Sequence, residues 1–321
     1  MNLTRIAILG ATSHIAKGLI AAWGTRKDRE LFLYARRPEQ VRQFAETISA
    51  DAAHVLPVDE FGILSCDVVI NCIGIADPGE LAHEMATIFT VTETWDTRVL
   101  AYLAKNPETL YINFSSGAAY GSDFSQPVDE SSAAVFPANA LTPAEFYGIA
   151  KLHAEARHRA AADLNIVDLR VFSYFSRFID LSTRFLTTDI LAAIKEGKEL
   201  LTTPANIIRD YVHPQDLAAL LDCVIRKRGL NGVYDVYSRG PATKFEILER
   251  FAAEFGLRYR VMDGASMVTA TGTKDHYYSL NRRAAELGFE PQYESIGGLL
   301  AEVGAMMSQN RCLTASSEHE V

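Results

Sequence analysis

The sequence predicts a doubly wound α/β protein, a mostly parallel sheet with helices on both faces, joined to a smaller mixed lobe nearer the C-terminus. Three observations carry that expectation. Short apolar runs alternate with longer helical stretches through the first half of the chain, as βαβ units do. Most of those runs lack the alternation of a half-wet sheet, so both faces should be covered. A glycine stands where the first run gives way to the first helix, the place where such sheets receive ligands.

In chain order, the strand candidates are Ile6–Leu9, Leu31–Tyr34, Val68–Asn71, Leu110–Phe114, Val167–Phe172 and Gly232–Tyr237, each too short to be a helix. Between them lie helical segments at Ile15–Trp23, Trp95–Lys105 and Ala144–Leu164. The last follows Thr142-Pro143, a cap residue and then a proline at the first turn. The apolar stripes of the second and third helices are expected to pack on the sheet. After about residue 172 the pattern becomes less regular, with Phe185–Gly197 and Lys244–Gly256 as helices and Gly288-Phe289-Glu290-Pro291 as a stop signal. From Ser308 the periodicity is lost, and residues 306–321 are expected to form a mobile tail.

Composition bounds the function. The 321 residues are 48% hydrophobic and 22% charged, a compact profile rather than a disordered or fibrous one. Four cysteines spread over the whole length, Cys66, Cys72, Cys223 and Cys312, do not make a disulfide scaffold and read as free thiols. Thirty-one basic against forty acidic residues give a net charge of −9, which disfavours nucleic acid or anionic lipid as a partner. No run of eighteen uncharged apolar residues and no export pattern at Met1–Arg5 are visible, so no membrane span is expected and the cytoplasm is the expected location.

The turn after the first strand reads Gly10-Ala11-Thr12-Ser13-His14-Ile15-Ala16, with Ser13 and Ala16 at the second and third positions of a G-x-x-G-x-x-G fingerprint. Small residues still permit a pyrophosphate to approach the backbone N–H groups of Gly10, Thr12, Ser13, His14 and Ile15, although an ordinary strand–helix turn has the same look. The second strand ends Ala35-Arg36-Arg37, where an NAD-selective site carries an acid on the ribose hydroxyls. Two guanidinium groups there suit a 2′-phosphate instead, so NADP(H) is favoured and NAD remains possible. Cys72, Ile73 and Gly74 follow the third strand candidate, where lying along a dinucleotide and simply closing a buried strand are equal readings. These features assign residues 1–172 and about 211–238 to a dinucleotide-binding Rossmann domain, and about 173–210 and 239–305 to a substrate-binding lobe.

Tyr147 and Lys151 stand four apart on one face of the expected helix. A phenol exchanges protons at neutral pH only where a nearby positive charge favours its anion, and Lys151 supplies one. Alone, such a pair also occurs by chance on many helix surfaces. Asn113-Phe114-Ser115-Ser116-Gly117-Ala118-Ala119-Tyr120-Gly121 follows an apolar strand some thirty residues earlier.

Fingerprint, serine and Tyr-Lys pair in this order resemble the extended short-chain dehydrogenase/reductase family, the NAD(P)-dependent epimerases, dehydratases and reductases of nucleotide sugars, over roughly residues 5 to 300. The resemblance implies a catalytic set of Ser116, Tyr147 and Lys151, a nucleotide-diphosphate sugar as substrate, and a homodimer built on two paired helices. Arg209-Asp210-Tyr211-Val212-His213-Pro214-Gln215-Asp216 looks like the family's R-D-[FY]-[VI]-H-x-x-D segment, whose arginine contacts the diphosphate. Asp210 and Asp216 read as capping and loop residues. Ser173 replaces the family's Asn at a strand end, and Lys274 is a second candidate phosphate ligand beside its reading as a loop lysine. Gly117 and Ala118 stand where the 4,6-dehydratase branch has its acid and base, so dehydration is not expected. The expected reaction is NADP(H)-dependent reduction of a nucleotide-activated 4-keto-6-deoxysugar. A 4-epimerase holding NAD, and a non-catalytic NADP-binding sensor, are the alternatives. No metal site is expected, because His153 and His158 do not face one ion and Cys66 and Cys72 have no partner motif.

Overall fold

The computed structural model describes residues 3–50, 53–74, 87–262 and 274–317. The chain begins with β1 (Thr4–Leu9), α1 (His14–Trp23), β2 (Arg29–Ala35), α2 (Pro38–Thr47), β3 (His54–Pro57) and β4 (Val68–Asn71). It continues with α3 (Thr87–Leu103), β5 (Leu110–Ser116), α4 (Pro143–Ala160), β6 (Ile166–Val171) and β7 (Ser173–Tyr174). Then come α5 (Leu186–Glu196), β8 (Glu199–Thr202), β9 (Ile208–Arg209), β10 (Tyr211–Val212), α6 (Pro214–Lys227) and β11 (Asn231–Asp235). The last elements are β12 (Ala242–Thr243), α7 (Lys244–Phe255), β13 (Arg258–Val261), β14 (His276–Tyr277) and α8 (Ser295–Ser317).

Seven strands form one parallel sheet in the order β11-β6-β5-β4-β1-β2-β3. The chain winds outward from β1 to β3, then crosses back and winds the other way from β4, so the order reverses between β1 and β4. In open α/β sheets that reversal opens a crevice at the carboxyl ends of the strands. Both faces are covered as expected: every residue of β4 and β5 is buried. One apolar cluster joins Ile6, Ile8, Leu33 and Ile70 to Leu19 and Ile20 of α1 and Leu217 of α6. Another, on Ala7, Leu9, Val69 and Tyr111, receives Val99 and Leu103 of α3. Each large side chain buried this way contributes about 1.5–3 kcal/mol against exposure.

The small sheets β12-β9-β14, β10-β7 and β13-β8 stand apart from the large one, and α5, α7 and α8 share their own apolar cluster around Ile190, Leu248, Phe251 and Val303. No described helix is long and apolar enough to cross a membrane.

Three local features depart from the sequence reading. β3 and α2 were not expected, because β3 is a half-exposed edge strand and α2 buries only Val41 and Ala45. α8 is absent from the helix candidates; its N-terminal turns are anchored by Leu299, Glu302 and Val303, and it runs to Ser317. The inner face of α4 is not an apolar stripe: Lys151, Glu155 and His158 are buried there beside Ala150 and Ala154.

Candidate active site

The crevice begins at the β1–α1 turn. Gly10 has φ 73°, and a Cβ there would lie 2.9 Å from Ile73 and 3.0 Å from the Cys72 carbonyl, so only glycine lets the turn close against the end of β4. The Gly10 and Ala11 N–H groups both donate to the Tyr34 carbonyl, tying the turn to β2. Ser13, in a fingerprint glycine position, is the N-cap of α1 and accepts from the Ala16 N–H at 3.3 Å. The N–H groups of Thr12, His14 and Ile15 have no acceptor among the described residues. Unpaired donors at a helix start, beside a glycine cradle that a Cβ would fill, fit the pyrophosphate of a dinucleotide.

The His14 ring accepts from the Ser176 N–H at 3.1 Å and meets the Tyr174 ring edge-on; burial lowers its pKa to about 4, so at neutral pH it brings no charge to this site. Cys72 forms a wall, its thiol pushed up to about 12 by burial. Arg36 and Arg37 lie exposed between β2 and α2 with no ion-pair partner among the described residues.

Across the crevice, Ser116 ends β5 and caps the short turn Gly117–Tyr120, its Oγ accepting from the Ala118 N–H at 3.2 Å. Gly148 of α4 presses directly on the Ala118 carbonyl, which a Cβ would displace. That close approach sets Tyr147, one residue earlier, beside the serine. Lys151, one turn on, donates from Nζ to the Phe114 carbonyl at 2.8 Å, lies 5.7 Å from the centre of the Tyr147 ring, and stands 3.6 Å from where a Gly74 Cβ would be. The structure therefore brings Ser116, Tyr147, Lys151 and Gly74 together at the reversal of the sheet. Burial pushes the Tyr147 phenol well above its ordinary value; Tyr277 acts in the same direction and the Ser116 hydroxyl opposes both. Burial also lowers the Lys151 ammonium, against the pull of Asp168, Glu155 and Asp96.

Beneath these residues runs a buried polar network that periodicity does not reveal. His158 Nε2 meets Asp96 Oδ1 at 2.6 Å, and its Nδ1 meets Asp168 at 2.8 Å. Asn113 donates to Asp168, Tyr111 to Asp96, and Asn71 to the Tyr111 hydroxyl. Asn71 in turn accepts from the Ile73 N–H at 3.0 Å, which reaches the crevice. Alongside, Ser115 donates to Glu155, and Glu155 pairs with Arg170 at 2.6 Å.

Arg209 donates to the carbonyls of Ile208 and Lys274, and its guanidinium lies 5.8 Å from the Tyr277 ring; Lys274 Nζ lies 4.3 Å from the same ring. The two candidate phosphate ligands thus meet at Tyr277, a residue that the sequence did not single out. Its strand is two residues long, with no pattern to mark it. Ser173 pairs through its backbone with Tyr211, and its side chain makes no hydrogen bond among the described residues. Asp210 accepts from Ser238 and Ser295, and Asp216 from the N–H groups of Gln292 and Tyr293, which are loop-bracing roles. At Gly117 the Phe172 ring fills the space of a Cβ, so the acid of a dehydratase has no room there.

A reversed parallel sheet with a glycine cradle facing a Ser–Tyr–Lys cluster defines an enzyme of the extended short-chain dehydrogenase/reductase type. The chain belongs to the NAD dependent epimerase/dehydratase family, whose model matches residues 6–238. Among solved structures it is similar to a UDP-N-acetylglucosamine 4-epimerase from Methanobrevibacter ruminantium, with TM-score 0.79 and 17% identity over 96% of this chain and 100% of that one. A UDP-glucose-4-epimerase from Stenotrophomonas maltophila with bound NAD gives 0.78 and 16% over 97% and 100%. A dTDP-glucose 4,6-dehydratase from Bacillus anthracis in complex with NAD gives 0.75 and 16% over 96% and 97%. At these identities the likeness is one of fold. No curated protein matches the chain.

Proposed function

We propose that this enzyme reduces the keto group of a nucleotide-activated 4-keto-6-deoxysugar with NADP(H). The observation that carries the reading is the pair Arg36 and Arg37, exposed at the carboxyl end of β2 where no acid stands and free of ion pairs among the described residues. Two guanidinium groups there hold a 2′-phosphate and leave no acceptor for a ribose diol. The blocked space at Gly117 argues in addition against dehydration.

The bound nicotinamide supplies the hydride. Ser116 donates a hydrogen bond to the substrate carbonyl, and Tyr147 delivers the proton to the oxygen that carries the developing charge. Burial keeps the Tyr147 phenol protonated in the free protein, the state a proton donor needs. Lys151, fixed by the Phe114 carbonyl, holds the ribose and places a positive charge beside the phenol. Arg209 and Lys274 take the sugar diphosphate. A homodimer packed through α3 and α4 completes the reading, as does a cytoplasmic location.

Thermal-shift titration with NADPH, NADP⁺, NADH and NAD⁺, followed by NADPH consumption on dTDP- and UDP-linked 4-keto-6-deoxyglucose, tests the proposal. The expected result is a larger shift with the phosphorylated coenzymes, and an affinity cut about 100-fold or more by Arg36→Ala with Arg37→Ala, since each lost charge-assisted contact is worth roughly 1.5–3 kcal/mol. A larger shift with NAD⁺, or protein that purifies with NAD and interconverts hydroxysugars without NADPH, supports the second reading, a 4-epimerase. That reading draws on the full-length fold likeness to two 4-epimerases.

A further inference from the structure

Ser116 is useful to a substrate only if its hydrogen is free. A serine hydroxyl has one hydrogen and two lone pairs. The Ala118 N–H occupies one lone pair, and the Tyr277 hydroxyl lies 3.1 Å from the same oxygen. If the serine donated to the phenol, nothing would remain for a sugar carbonyl. A phenol, with an ordinary pKa of about 10, is far more acidic than an alcohol and is the better donor of the two. Arg209 and Lys274 lie over its ring and help to hold it in place.

We propose that Tyr277 is a positioning residue of the reaction centre: its phenol donates to Ser116 Oγ and so turns the serine's only hydrogen toward the substrate oxygen. This rests on the reading above, in which Ser116 polarises the carbonyl. Tyr277 is held for that task. Its ring meets Phe124 at 4.6 Å and Phe172 at 5.2 Å, and its backbone pairs with Arg209. Two residues on, Ser279 donates to Asp235 at 2.6 Å, an acid on β11 that also accepts from Tyr120 at 3.0 Å. The segment is thereby tied to the edge of the large sheet, and the donor state of a serine on β5 depends on a residue 161 positions later.

Tyr277→Phe removes the hydroxyl and keeps the ring among Phe124 and Phe172. The expected result is a fall in kcat of about 10- to 100-fold with KM changed less than about threefold, and with NADPH affinity and melting temperature near wild type. A double-mutant cycle with Ser116→Ala is the sharper readout: Tyr277→Phe should cost almost nothing further once the serine hydroxyl is gone. Tyr277→Met, smaller, flexible and without a hydroxyl, repeats the measurement in a second packing background. Full activity in these variants, or losses that multiply in the double mutant, overturns the proposal while leaving the reductase reading intact. If Tyr147→Phe also turns over the sugar normally, or the wild type consumes no NADPH on the keto-sugars, the functional reading fails and the inference falls with it.

Discussion

Replacing His158 with glutamine should destabilise the protein strongly near neutrality and hardly at all in alkali. The imidazole is wholly buried between Asp96 and Asp168, with nitrogen–oxygen distances of 2.6 and 2.8 Å, and Arg157 and Arg159 approach the outer oxygens of the two acids at 2.9 and 3.2 Å. Burial alone lowers the pKa of a histidine, but here the two hydrogen-bonded carboxylates outweigh it and raise it from 6.5 to about 9. The folded state therefore binds this proton more tightly than the unfolded chain. Its contribution is fully present below about pH 6.5 and fades as pH rises through about 9. At roughly 1.4 kcal/mol per unit the shift corresponds to about 3 kcal/mol. Glutamine cannot be cationic and turns an acceptor oxygen toward one of the acids, so it leaves two buried carboxylates facing each other with the arginines alone. Urea unfolding of both proteins at intervals from about pH 6 to pH 10 measures the difference, which should be about 3 kcal/mol at the low end and shrink steadily upward. A difference that stays constant with pH, or an imidazole resonance of His158 that titrates near its ordinary value, would refute the reasoning.

Three further outcomes are expected. Gly10→Ala forces a side chain into a positive-φ turn and against the Cys72 carbonyl, and should abolish the thermal shift with NADPH while lowering stability by about 1–3 kcal/mol; an unchanged shift would mean that the cradle does not receive the dinucleotide. Gly117→Asp should give no dehydration of a nucleotide hexose and a lowered melting temperature, because the new side chain collides with Phe172; a stable variant that forms the 4-keto-6-deoxy product would show that the space opens. Glu302→Gln should cost about 3 kcal/mol at neutral pH and progressively less in acid. Bonds from Arg177 and His213 hold the Glu302 carboxyl at about 2, so its contribution is present above about 4.5 and lost as pH falls through about 2; equal losses at neutral and acid pH would contradict this.

The elements that the sequence marked clearly are those whose environment is uniform along their length. β1, β2, β4, β5, β6 and β11 appear within about two residues of the runs that predicted them, because a strand covered on both faces is mostly apolar and leaves a short run in the sequence. α2 and β3 lie at the exposed edge, where little apolar surface is needed and little signal remains. The reach of Lys151 is a case between these limits. Its spacing from Tyr147 was readable, but its bond to the Phe114 carbonyl requires β5 to lie alongside α4. For His158 the sequence offered only a spacing unsuited to a metal; its two acid partners come from α3 and β6, and no local pattern announces a pair of carboxylates 72 positions apart.

By itself, then, the order of residues determined the class of fold and the placing of Tyr147 and Lys151 four apart on one helix, since each depends on composition or spacing within single elements, while Ser116 was named as their partner through the resemblance to the extended short-chain dehydrogenase/reductase family. Tertiary structure alone decided what surrounds them: the phenol of Tyr277 on Ser116, the Phe172 ring that closes the space at Gly117, and the charged seam under α4. Hydrogen bonds and close contacts between distant segments are set by distances in space, and those arise only when the sheet has formed and the helices have docked on it.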